Sequence, residues 1–244
     1  MHSRRADLVR FYNALTRLER LQRGRCLLSA CTGRMNWPGR GVYFFFEPGE
    51  QRCDTGDGPR VVRVGTHALK TGARSSLWGR LSQHKGSASS GGGNHRGSIF
   101  RLIVGSAIKR WDGRDEPASW GVGSDVGQAA KRLDTERADI KERERALERA
   151  VSERIGAMSF IGLPIEDPPG PESLRGLIER NSIALVNNYR SNSLDRPSRE
   201  WLGLHSDRER VVRSGLWNNN HVDEKYDPAF LEVLEELIRN VEGA

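Results

Sequence analysis

The sequence predicts an α+β fold, a small antiparallel three-stranded sheet flanked by helices. Three observations carry that expectation. Two β-rich runs, 41–46 and 60–65, flank a polar Gly/Asp/Pro stretch, as in a hairpin with a long tip. A helical pattern at 75–85 and a further apolar run at 98–104 continue the order to strand, strand, helix, strand. Beyond residue 110 the apolar positions recur mostly with helical spacing.

Each element follows from local chemistry. Residues 7–23 place Leu8, Phe11, Leu15, Leu18 and Leu21 on one face, giving an amphipathic lead-in helix. Trp37-Pro38-Gly39-Arg40-Gly41 punctuates the chain before the first strand, and residues 47–59 form the polar tip. Ser75 or Ser76 caps the next helix, with Leu77, Trp78 and Leu81 inward. Residues 86–97 form a Gly/Ser loop carrying Asn94, His95 and Arg96, and 98–104 is the third strand. Between 128 and 155 a narrow stripe of Leu133, Ile140, Leu147, Val151 and Ile155 runs among dense charges. That pattern fits a solvated helix leaning on the domain, or a coiled-coil contact. A turn at 164–171 precedes a helix to about 185. Phe230, Leu231, Leu234, Leu237, Ile238 and Val241 then form the inner face of a closing helix.

Composition narrows the function classes. The chain has 244 residues, 36% hydrophobic and 29% charged, enough to bury a core and too apolar for wholesale disorder. No apolar run approaches the roughly 20 residues of a membrane-spanning helix. Residues 1–7 lack the apolar stretch of a secretory signal, and Cys26, Cys31 and Cys53 have neither metal spacing nor a disulfide pattern. A reducing cytoplasm is the expected setting. The net charge of +7 is uneven: residues 1–111 carry 20 Lys and Arg against 6 Asp and Glu, whereas 112–244 carry 19 against 26. Arg outnumbers Lys 33 to 6, which composition bias explains, but the scarcity of carboxylates in one half points to a polyanion such as nucleic acid.

Three motifs give that half a chemistry. Gly41-Val42-Tyr43 lies on the first strand, Arg63-Val64-Gly65 on the second and Arg80-Leu81-Ser82-Gln83-His84 on the helix that follows. In that order they resemble the GIY-YIG endonuclease family. Leu177-Ile178-Glu179-Arg180-Asn181-Ser182-Ile183-Ala184-Leu185 is similar to the segment where the family places its metal-binding glutamate, and Asn187, Asn188 and Asn192 follow it. The resemblance covers about 36–104 and 171–192. It implies one domain over 1–244, with a catalytic core in those two stretches, a helical insertion at 111–170 and a C-terminal helical cap at 193–244.

The activity implied is metal-dependent hydrolysis of DNA phosphodiester bonds, with RNA not excluded as the polymer. Such a reaction needs a deprotonated water, counter-charge for the transition state and help for the leaving oxygen. The resemblance makes Glu179 the ligand of one Mg²⁺ or Mn²⁺, and Tyr43 the phenol that helps activate water. Arg80 and His84, four residues apart, share a helix face: Arg80 offers paired N–H donors to a phosphate, and His84 accepts or relays a proton. Taken singly, Tyr43 is a strand aromatic, Arg80 and His84 are polar helix residues, and Glu179 is a helix partner for Arg175.

The chain departs from the family at Arg63, which stands in place of the second-motif Tyr. Arg63 would assist Tyr43 or bind phosphate, and His67 would take over a proton-transfer role. Arg40, Lys85, His95, Arg96 and Asn188 are the expected nucleic-acid contacts, with a solvated loop the alternative for His95 and Arg96; Asn188 is the first choice for the Asn that completes the site. Trp217-Asn218-Asn219-Asn220-His221-Val222 orders a loop and is assigned no chemistry. The missing Tyr motivates a second function class, a non-catalytic nucleic-acid-binding module on a degenerate nuclease scaffold. A third, a partner-binding protein, would use the long charged helix.

Overall fold

The computed structural model describes residues 3–87, 92–190 and 192–243, so 88–91 of the expected Gly/Ser loop lie outside the described residues. Ser3 caps α1 (Arg4–Leu21) by accepting from Ala6 N–H, and Leu8, Phe11, Leu15 and Leu18 fill its buried face. Strands β1 (Cys26–Leu27), β2 (Gly41–Gln51), β3 (Pro59–Gly65) and β4 (Ser159–Pro164) form one antiparallel sheet in the order β1-β4-β2-β3. The remaining helices among the described residues are α2 (Leu77–Lys85), α3 (Ile99–Trp111), α4 (Val126–Arg132), α5 (Arg137–Gly156), α6 (Leu174–Val186), α7 (Glu209–Ser214) and α8 (Phe230–Glu242). No helix among the described residues is long and apolar enough to cross a membrane.

The α+β class holds, but the sheet has four strands and its makeup differs from the expectation. The run at 98–104 is the start of α3. Ser98 Oγ accepts from Arg101 N–H, and Phe100, Ile103, Val104 and Ala107 recur at helical spacing on the buried side. That period and cap outweigh the β-branched content of the run. The strand that completes the sheet is β4, inside the stretch expected as a helical insertion. It pairs with β2 from Gly41↔Pro164 to Phe46↔Ser159. The long charged helix is two helices, broken where Asp134 takes a left-handed φ of +47°. The hairpin tip is also shorter than expected, because β2 runs on to Gln51. Glu47 and Glu50 are buried there: Glu47 accepts from the indoles of Trp201 and Trp217, both at 2.9 Å, and Glu50 pairs with Arg60.

Side chains alternate across β2 and build two cores. Val42, Phe44 and Phe46 face α1, α6 and α8. Tyr43 and Phe45 face α2, α3, α5 and the tryptophans Trp201 and Trp217. Helices therefore cover both sides of the sheet, and the motif residues come from the second layer and from β3's outer edge. Residues 217–218 cover that edge: Trp217 N–H donates to Val62 O at 2.8 Å, and the Asn218 amide donates to Val64 O (2.8 Å) and accepts from Val64 N–H (3.1 Å). A side-chain amide thus stands in for a missing strand.

Candidate active site

Tyr43 and Gly65 are direct partners across β2 and β3, so the two motifs meet in register. Glycine is required at 65 because a Cβ there would sit 2.6 Å from Tyr43 Cζ. The phenol lies over this gap and meets His84 from α2, with Oη 2.8 Å from Nε2; His84 Nδ1 lies 2.7 Å from Ser98 Oγ. Both ring nitrogens are used. Burial, with Arg63, Arg80 and Arg101 nearby, holds the His84 pKa well below its ordinary value. A buried imidazole facing three guanidinium groups resists a proton, so His84 fixes the Tyr43 hydroxyl and is poorly suited to relay. Gly65→Ala is expected to push the phenol off His84 and to cost about 1–3 kcal/mol of stability in urea unfolding.

Arg63 shares this face of the sheet and lies beside Tyr43, and it is also tied to the C-terminal segment. It is buried, its Nη1 donates to Trp217 O at 2.6 Å, and its guanidinium lies 4.5 Å from the Phe100 ring centre. It therefore ties β3 to the C-terminal segment while its charge stands beside the Tyr43 phenol. His67 is also buried. Burial chiefly, then Arg175, Arg40 and Arg80, push its pKa down to about 4, and its Nε2 lies 3.4 Å from Gly39 O. At neutral pH its ring is neutral, so it is not the imidazolium that a general acid needs, and it is a weak base.

Glu179 projects from α6 toward the end of β3. Thr66 N–H donates to its Oε1 at 3.1 Å, while Thr66 Oγ1 donates to Gly41 O at 2.8 Å. One threonine thus joins the first motif, the second motif and the acid, a link that nothing in the sequence marked. Burial pushes the Glu179 carboxyl above its ordinary range, against the pull of His221, Arg63, Thr66 N–H and Arg80. Arg80, half-exposed on α2, is the common neighbour: its charge acts on Arg63, His67, His84 and Glu179 alike. Its Nη1 donates to Gln83 Oε1 (3.0 Å) and Gly97 O (3.2 Å). A groove of about 630 Å³ opens beside Glu179, lined also by Lys70, Arg180 and His221.

The expected nucleic-acid contacts do not gather at this groove. His95 is buried, donates from Nδ1 to Glu148 Oε1 at 2.9 Å, accepts from Gly121 N–H at Nε2 and stacks on Trp120. Arg96 grips both oxygens of Glu144 at 2.7 Å. Two acids of α5, Glu144 and Glu148, are buried, and these two basic residues turn inward to meet them. Lys85 donates to Cys31 O, and Arg40 to Asp167 O. Asn188 closes its own loop, donating to Leu194 O and accepting from Leu194 N–H, both at 3.0 Å.

A single carboxylate fits a hard divalent ion that takes its other ligands from water and substrate phosphate. Glu179 suits this, since no hydrogen bond occupies its Oε2 among the described residues and it faces the groove. The other cluster of potential ligands among the described residues, Cys53, Asp54 and Asp195, does not. Asp195 Oδ1 already accepts three backbone N–H groups, from Cys53, Asp54 and Thr55, and Asp54 Oδ2 accepts from Asp195 N–H. It is a clasp at the hairpin tip.

Comparison with known proteins agrees with the geometry. The family model for the GIY-YIG domain matches residues 2–244, while no curated protein and no solved structure matches. That family is one of nucleases, and the match spans the Tyr43–Gly65 pair, the Arg80 helix and Glu179 together. The chain belongs to the GIY-YIG domain family.

Proposed function

We propose that the chain is a metal-dependent endonuclease that hydrolyses DNA phosphodiester bonds. The observation that carries this reading is that Arg80 lies near both the Tyr43–His84 pair and Glu179, whose carboxylate lines an open groove. Glu179 would hold one Mg²⁺ or Mn²⁺, which when bound supplies counter-charge and an acidified water. Arg80 is the guanidinium free enough to reach a phosphate: it is half-exposed and rests on a side-chain amide and one carbonyl. Tyr43, buried and held by His84, would be the first-motif phenol that assists the reacting water. Exposed Lys70 and Arg180 line the groove and suit a strand of phosphates better than the buried Arg96 does.

The test is cleavage of supercoiled plasmid in Mg²⁺, Mn²⁺ or EDTA, with Arg80→Ala beside the wild type. Metal-dependent nicking is expected, reduced on the order of 10²-fold or more in the variant. A specific observation favours a second reading, a non-catalytic nucleic-acid-binding module: Arg63 replaces a phenol with a buried tie. Salt-reversible retardation of DNA without turnover in any metal would select that module.

A further inference from the structure

The C-terminal segment set aside in the sequence reaches the site. Trp217 and Asn218 are fixed along β3, so the chain that follows is held beside Thr66 and Glu179. His221 then adopts φ +63°, a left-handed conformation rare outside glycine, and its imidazole enters the wall of the groove that holds Glu179. Its Nδ1 lies 2.6 Å from Glu224 Oε1. A carboxylate at that nitrogen takes the Nδ1–H of the neutral ring and leaves the Nε2 lone pair uncommitted. Among the described residues no group hydrogen-bonds to Nε2.

Proteins present histidine to metals in this way, one nitrogen to the ion and the other N–H to a carboxylate. We propose that His221, through Nε2, and Glu179 are joint ligands of one divalent ion, with Glu224 orienting the ring. The proposal rests on the nuclease reading for an ion at Glu179 and adds a nitrogen donor to it. Glu179 and His221 line the same groove. The donor pair sets selectivity. Imidazole favours first-row transition ions, whereas Mg²⁺ prefers an all-oxygen shell, so the site binds Mn²⁺ more tightly than Mg²⁺.

Mn²⁺ titration of the full chain, read by electron paramagnetic resonance, tests this directly, because a coordinated imidazole couples its nitrogen to the metal. His221→Gly suits the left-handed backbone and removes the donor; His221→Asn also tolerates it and offers an amide oxygen. Wild type is expected to show nitrogen coupling. The coupling vanishes in His221→Gly, with Mn²⁺ affinity lower on the order of 10- to 100-fold, and Glu224→Gln costs about 10-fold. In His221→Asn the affinities for Mn²⁺ and Mg²⁺ converge. Coupling absent from the wild type, or surviving His221→Gly, overturns the proposal and leaves Glu179 as the ligand of the nuclease reading. Mn²⁺ binding untouched by Glu179→Gln overturns both.

Discussion

Glu179→Gln is expected to lower metal-dependent plasmid cleavage on the order of 10²- to 10³-fold while the chain folds as before. The substitution is close to isosteric. The Gln carbonyl can still accept from Thr66 N–H, the one hydrogen bond that fixes Glu179, so the link between α6 and the end of β3 survives. The charge is what disappears. Burial disfavours that charge, and Arg63, Arg80 and His221 favour it, so its loss changes stability by less than about 1 kcal/mol, read from urea midpoints. Without it the ion has no carboxylate to hold it. On the proposed reading, DNA retention in EDTA is expected to persist, because Lys70 and Arg180 of the groove are unaltered. Cleavage within a few-fold of wild type would remove Glu179 from the site.

Much of the site's frame was legible because it is local. The hairpin, the Ser76 cap and the α6 and α8 faces are written in short-range patterns, and the Arg80–His84 spacing needs only a helix. The β4 strand was not legible. Its residues are buried or half-buried along its length, so it lacks the alternation that marks a strand, and its partner β2 lies more than a hundred residues earlier. The segment at 98–104 fitted both periods, and the deciding feature, a serine capping α3, reads equally as a strand start.

The chemistry divides along the same line. The sequence singled out Tyr43, Arg80 and Glu179 as candidates, but not which charges compensate which. His95 and Arg96 looked like loop cations until Glu144 and Glu148 proved to be buried opposite them. Arg63 stood out as the residue in place of the missing Tyr, but its bond to Trp217 O had no local signal. His221 was invisible for the converse reason: its place is set by Asn218 binding the free edge of β3, a contact 154 residues apart in sequence. Side-chain hydrogen bonds of that range have no periodic signature.

The largest stability effect is expected at Glu148, the acid that organises the wall behind the site. It accepts from His95 N–H at 2.7 Å, His95 Nδ1 at 2.9 Å and Arg101 Nε at 3.0 Å; Arg101, fully buried, donates onward to His84 O at 2.9 Å. Glu148→Ala leaves a guanidinium buried without its counter-charge and is expected to cost about 3–5 kcal/mol at pH 7. His95 and Arg101 hold the Glu148 carboxyl down to about 2 against the opposing effect of burial. The folded value lies below the ordinary 4.5, so this contribution is present above pH 4.5 and is lost as pH falls toward 2. Glu148→Gln mimics the protonated acid. In urea unfolding its deficit relative to wild type should therefore shrink by about 3 kcal/mol between pH 5 and pH 2. A deficit that stays constant over that range would mean Glu148 is not held ionised by Arg101 and His95. The same variant reports on the site, because Arg101 released from Glu148 loosens its hold on His84 O and so on the ring that fixes Tyr43.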